Sequence, residues 1–176
     1  PQAEQYLSLT KKSDEALEYL IDYFSQQEEP VVILFFGDHW PNLEQDFLSL
    51  LLGEDSNALS FENVMREYEV PFLIWANYDL EGEEIETVSL NYLSGLLLRA
   101  AGLEGTDYPP FLENLRQTLP VITAMGVLDC DGNWYKNGDE TPYDELLNEY
   151  NILEYNNAFG GNGKSMETFT LNIGFG

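Results

Sequence analysis

Asp38 and His39 are the residues of this sequence best placed to do chemistry. A carboxylate and an imidazole at adjacent positions can share a divalent cation of the zinc or manganese type, although two donors do not complete a coordination shell. Alternatively, Asp38 caps the segment that follows and His39 donates a hydrogen bond at a strand-to-helix turn. His39 is the only histidine, so a histidine-rich zinc site is excluded. Any metal held here must rely on carboxylates and on hydroxyl or water oxygen.

The elements around the pair give it a setting. Val31-Val32-Ile33-Leu34-Phe35-Phe36 is an unbroken apolar run preceded by Pro30 and ended by Gly37. It reads as the central strand of a mainly parallel sheet, buried on both faces. Ligands of open α/β sheets gather outside the carboxyl ends of the strands, where Asp38 and His39 would stand. Val70 to Ala76 reads as a second buried strand, which would bring Asn77, Tyr78 and Asp79 to that same edge. Trp40 and Asn77 are therefore candidate substrate contacts, with packing and strand termination as their plain alternatives.

Helices are expected before, between and after these strands. Ser13 precedes an acidic turn and the spaced apolar residues Leu17, Leu20, Ile21 and Phe24, a capped amphipathic pattern. Leu43 to Leu52 before Gly53, Phe61 to Tyr68, Phe111 to Leu119 and Tyr143 to Tyr155 are further helices. Ser89 to Ala101 places Leu90, Leu93, Leu97 and Leu98 on a core face before Gly102. Asp129-Cys130-Asp131-Gly132-Asn133 reads as a hairpin turn rather than a calcium loop, whose glutamate is missing at the required spacing. The stretch 160–176 is a Gly/Asn-rich tail, with a short strand pattern from Thr168 to Ile173. Its Lys164-Ser165 lacks the spacing of a phosphate loop.

Gly37-Asp38-His39 after a buried strand resembles the second metal-binding motif of the sulfatase and alkaline phosphatase superfamily. Tyr6-Leu7-Ser8-Leu9, Val70-Pro71-Phe72-Leu73-Ile74-Trp75-Ala76-Asn77-Tyr78, Ser89-Leu90-Asn91-Tyr92-Leu93-Ser94, Leu119-Pro120-Val121-Ile122-Thr123-Ala124 and Leu153-Glu154-Tyr155-Asn156-Asn157 resemble the lipoteichoic acid synthase and phosphoglycerol transferase branch. The resemblance implies an alkaline-phosphatase-like α/β domain, a three-layer α/β/α architecture with a small β-hairpin. Residues 1–159 would be its carboxyl-terminal portion and 160–176 a tail. Many members carry an acidic residue where Asn91 stands.

The same resemblance implies a metal-dependent phosphoglycerol transferase whose Thr or Ser nucleophile lies upstream of Pro1. Thr10 precedes two lysines and follows no buried strand, so it does not fill that role. Asp38 and His39 would be two metal ligands, for manganese foremost, with zinc or magnesium as alternatives. The isolated chain would be inactive. An anionic phospholipid headgroup and a glycerol-phosphate acceptor would be the parent's partners, and its domain would face outward from a bacterial cell membrane. A sulfatase, phosphatase or phosphoethanolamine transferase would use a comparable pair. A noncatalytic acidic binding domain of the same fold is the reading from another class.

Composition narrows these options. The chain has 176 residues, 44% apolar, enough for one sizeable core. Its formal charge of -25, with seven Lys and Arg, leaves no basic patch for a nucleic-acid backbone. Most of the carboxylates read as a solvated, repulsive surface. One cysteine, Cys130, excludes an intrachain disulfide. No apolar run reaches the roughly 20 residues that span a bilayer. An exposed sheet edge left by missing neighbours would favour self-association of the isolated chain.

Overall fold

The structure, a computed structural model, describes residues 2–103 and 108–159. The tail and the strand pattern inside it lie outside the described residues. The described residues divide into two compact units, 2–84 with 99–103, and 85–98 with 108–159.

In the first unit, helix α1 spans Gln2–Ser25 and leads to strand β1, Val32–Phe36. Helices α2, Gln45–Leu52, and α3, Phe61–Arg66, precede strand β2, Phe72–Ala76. Gly53 ends α2 in the left-handed conformation at φ 73°, its amide donating to the Ser49 carbonyl, as its position after the leucine run predicts. Ser60 caps α3 by accepting from the Asn63 amide.

Helix α1 begins well before Ser13, which lies inside the helix and caps nothing. No Gly or Pro separates Gln2 from Ser13. The hydroxyls of Ser8 and Thr10 donate to the carbonyls of Glu4 and Tyr6, within the helix. The leading amides of Gln2 and Ala3 donate to the two carboxylate oxygens of Glu44, at 2.8 and 3.1 Å. A cap supplied from another part of the chain leaves no local signature.

The strand pairing corrects the expectation of a parallel sheet. β1 and β2 run antiparallel, with Val32 opposite Ala76, Leu34 opposite Ile74 and Phe36 opposite Phe72. Both strands are apolar on both faces, and such a run carries no information about direction. The segment containing α2 and α3 returns the chain to the end where β1 stopped, so the Gly37 amide donates to the Pro71 carbonyl at 3.0 Å. Nor is β1 dry: its first three residues are half-buried, and Phe35 and Phe36 are 37% and 44% exposed. Among the described residues β1 pairs only with β2, so it is not a central strand there.

In the second unit a 3-10 turn at Leu90–Tyr92 opens helix α4, Leu93–Ala100. The tighter turn rotates the helix register. Tyr92, Leu93 and Leu96 are buried, whereas Leu90, expected in the core, is 65% exposed. Helix α5, Tyr108–Thr118, is followed by a three-stranded antiparallel sheet of β3, Val121–Ile122, β4, Gly126–Leu128, and β5, Trp134–Lys136. Helix α6 spans Asp144–Phe159. Tyr92, Phe111, Leu112, Leu115, Leu119, Val127, Tyr150 and Leu153 form the core of this unit. Complete burial of a side chain such as Leu119 contributes about 2 kcal/mol.

The hairpin between β4 and β5 forms around Asp129, as its Asp-Gly signal predicts. Asp129 is only 2% exposed, and its carboxylate accepts from the amides of Asp131 and Asn133 and the hydroxyls of Tyr135 and Tyr143. Burial raises its pKa, but the Asn133 and Asp131 amides, the Asn133 carboxamide and the Tyr143 hydroxyl outweigh it and leave a net lowering. Those oxygens serve the turn, which is consistent with the hairpin reading over a calcium loop.

Candidate functional site

Strand β1 stops at Gly37 because β2 begins beside it. A Cβ on Gly37 would lie 2.9 Å from the Cβ of Val70, closer than carbon atoms can pack. Glycine lets the backbone pass over Val70 and present Asp38 and His39 beyond the sheet. Both side chains are open to solvent, at 87% and 77% exposure.

The two side chains face one another. Asp38 Oδ2 lies 3.5 Å from His39 Nε2, while Asp38 Oδ1 accepts from the His39 backbone amide at 2.9 Å. That amide holds the Asp38 carboxyl below its ordinary pKa, with the Asp38 amide and the charge of the imidazolium form adding to the effect. His39 Nδ1 lies 2.8 Å from the Trp40 carbonyl oxygen. A carbonyl can only accept, so the proton of the neutral ring resides on Nδ1 and the lone pair on Nε2. With the ring neutral, the pair offers a carboxylate oxygen and a nitrogen lone pair a short distance apart.

That separation suits one small cation. Metal–oxygen and metal–nitrogen bonds of about 2.1 Å meeting at a tetrahedral angle put two donors about 3.4 Å apart. Nitrogen and carboxylate donors suit zinc or manganese better than calcium. Among the described residues no three His, Cys, Asp or Glu side chains gather in a metal-sized group. Asp38 does not cap α2, whose N-cap position is occupied by Glu44.

The other two candidate contacts separate. Trp40 remains at the Asp38 end of the sheet, its indole N–H donating to the Glu69 carbonyl. Asn77 lies at the opposite end, beside Val31, because β2 runs against β1. The six residue steps from Gly37 to Val31 span about 20 Å. The Asn77 carboxamide is also occupied: Oδ1 accepts from the Val31 amide at 2.8 Å, and Nδ2 reaches the carbonyls of Phe24, Gln27 and Glu29. Asn77 therefore closes the α1–β1 link, and the expectation that it shares an edge with Asp38 is corrected. Tyr78 donates to the Ala100 carbonyl at 2.8 Å.

Thr10 lies within α1, its hydroxyl donating to the Tyr6 carbonyl at 3.0 Å. Asn91 accepts from the Ser89 hydroxyl and donates to the Tyr150 hydroxyl at 3.2 Å. Sequence reasoning missed Glu69 and Val70, which back the Asp38–Trp40 segment. Their contribution comes from a carbonyl oxygen and a packed methine, neither of which marks a sequence.

Strand β1 hands an Asp-His pair to its carboxyl end within a mixed α/β chain. The Sulfatase family model matches residues 1–103, more than half of the chain, and the chain belongs to that family. It is 25% identical over 162 residues to the Rhizobium meliloti (strain 1021) protein named "Putative cyclic beta-1,2-glucan modification protein", covering 88% of this chain and 25% of that one. Its fold is similar to that of the Streptococcus pyogenes phosphoglycerol transferase GacH, solved with sn-glycerol-1-phosphate, at a TM-score of 0.56 and 17% identity over 82% of this chain and 31% of that one. The chain thus spans about a quarter to a third of the length of these relatives, and its fold is the alkaline-phosphatase-like one of the GacH neighbour. Among the described residues no helix is long and apolar enough to cross a membrane.

Proposed function

We propose that this chain is the carboxyl-terminal portion, residues 1–159, of the catalytic domain of a phosphoglycerol transferase, and that Asp38 and His39 are two of its metal ligands. The observation that carries this reading is the 3.5 Å separation of Asp38 Oδ2 and His39 Nε2 on two exposed side chains. Family membership and the likeness of fold to GacH support it.

A divalent ion held there, manganese foremost, would polarise phosphoryl oxygens and activate a hydroxyl nucleophile. Asp38 contributes a full negative charge to such an ion, and its lowered pKa keeps that charge in place below neutral pH. His39 contributes a neutral nitrogen whose direction is set by the bond from Nδ1 to the Trp40 carbonyl. The exposure of both leaves room for the remaining ligands and for the phosphate. The nucleophile and the acidic ligands belong to polypeptide outside this sequence. The donor is an anionic phospholipid headgroup, the transferred group a glycerol phosphate, and the acceptor a glycerol-phosphate polymer or a glycan hydroxyl, in a parent facing outward from a bacterial membrane.

Manganese titration of the chain, followed by the loss of the free-ion electron paramagnetic resonance signal, tests the ligand assignment. Asp38→Ala and His39→Ala should each weaken binding at least tenfold, and unchanged affinity in both would remove the assignment. In the whole protein, His39→Ala should abolish release of glycerol phosphate from labelled phospholipid. Retained release in that variant would remove His39 from the site, and turnover of sulfate esters alone by the unaltered protein would overturn the transferase reading.

A further inference from the structure

We propose that Trp40 is a positioning residue: its indole, latched to the Glu69 carbonyl, holds the Trp40 carbonyl against His39 Nδ1 and so fixes the tautomer and direction of the imidazole. Three contacts form the chain of contact. The indole N–H of Trp40 donates to the Glu69 carbonyl, on the connection between α3 and β2. The Trp40 carbonyl lies 2.8 Å from His39 Nδ1. The far ring nitrogen, Nε2, then faces Asp38 Oδ2 at 3.5 Å.

Two acceptors compete for the proton of the neutral ring. Asp38 bears the stronger charge, but its 3.5 Å separation from Nε2 exceeds the range of an N–H···O hydrogen bond. The Trp40 carbonyl sits within that range. His39 is highly exposed, so no packing holds its ring, and the backbone at Trp40 must do so. That backbone follows Gly37 and precedes any regular element, since α2 starts only at Gln45. The indole is the side-chain contact that ties it to the connection before β2, whose Val70 already limits Gly37. The single polar atom of the indole is thereby used, which leaves Trp40 only its ring face for a substrate.

The role of Trp40 deepens the metal reading of Asp38 and His39 but is measured without metal. Because His39 is the only histidine, the imidazole nitrogen resonances of the whole chain belong to one residue. Nitrogen-15 spectra of the metal-free chain, recorded on the neutral ring, should show a pyrrole-like Nδ1 and a pyridine-like Nε2. In Trp40→Phe, which keeps a ring and loses the N–H, the two resonances should converge as the tautomers average. The inference is overturned if the wild-type proton resides mainly on Nε2, or if Trp40→Phe leaves the tautomer ratio unchanged while the amide spectrum remains folded. Should that variant unfold, deuterium exchange of the Trp40 indole proton in the wild-type chain decides: slow exchange supports the latch, and exchange at the rate of a free indole refutes it. Manganese binding is read separately, with a roughly tenfold loss expected for Trp40→Phe. An ordered tautomer with no manganese binding by the wild type would defeat the metal reading and leave the latch standing.

Discussion

Gly37 and Val70 meet across the end of the β1–β2 ladder so closely that a methyl group on Gly37 would stand 2.9 Å from the Val70 Cβ. The contact sets the point at which the chain leaves the sheet and turns Asp38 and His39 outward. Gly37→Ala must push Val70 aside or lift the Asp38–His39 segment, at a cost of about 1–3 kcal/mol in urea unfolding. Val70→Gly in the same chain should relieve part of that clash, because it removes the Cβ, 2.9 Å away, that obstructs the new methyl. A double variant no better than Gly37→Ala would mean that the glycine is needed for another reason.

Asn77 joins the far end of the same ladder to the segment leaving α1. One acceptor and two donors of its carboxamide serve four backbone groups, those of Val31, Phe24, Gln27 and Glu29. Asn77→Ala leaves those groups without partners and should destabilise the chain by about 1–3 kcal/mol. Asn77→Asp keeps the acceptor for Val31 but turns the other oxygen toward three carbonyls, so it should be no milder than Asn77→Ala. Manganese affinity should stay the same in both variants, since Asp38 lies at the opposite end. A fall in manganese affinity without a fall in stability would instead favour a ligand-contact role for Asn77.

The difference between these two ends shows what could be read in advance. The apolar run before Gly37 announced a strand with Asp38 and His39 after it, because consecutive apolar residues and a glycine are local signals. The Asp-Gly turn after β4 and the glycine stop after α2 were legible for the same reason. Strand direction was not, since Val32 to Phe36 and Phe72 to Ala76 are apolar on both faces and fit either orientation. Asn77 was consequently assigned to the wrong end. Contacts between residues distant in sequence, such as Trp40 with Glu69 or Gln2 with Glu44, depend on how the elements return to one another and leave no pattern in the chain.

Glu44 caps α1 through the amides of Gln2 and Ala3, and the bond from Gln2 is the leading cause that lowers its pKa to about 2. A carboxyl whose folded pKa is depressed contributes stability above its unfolded value, about 4.3, and loses it as pH falls toward the folded value. The urea midpoint of the wild-type chain should therefore fall more between about pH 4.3 and pH 2 than that of Glu44→Gln. Amide exchange in the first turn of α1 should quicken over the same interval in the wild type only. Parallel pH profiles for the two proteins would show that the cap does not persist in solution.

Tyr150 supplies the opposite sign at the alkaline end. Burial first, and then the charge of Glu154, push its hydroxyl up to about 12, against a smaller lowering from Asn91. The hydroxyl donates to Glu154 Oε1 at 3.3 Å and accepts from Asn91 Nδ2 at 3.2 Å, beside the buried Tyr92 of the same core. A raised folded pKa gives stability that is complete below the unfolded value, about 10, and is lost as pH rises through the folded one. Tyr150→Phe should cost about 1 kcal/mol near neutral pH by leaving Asn91 and Glu154 without that hydroxyl. Between about pH 10 and pH 12 its urea midpoint should decline less steeply than that of the wild type, because one ionisation has been removed from the unfolded chain. Tyrosinate absorbance offers a second reading, with the Tyr150 contribution missing below about 12 in the folded chain. If all tyrosines of the folded protein ionise together near the ordinary value, the hydroxyl is open to water and the Asn91–Tyr150–Glu154 relay does not close the core.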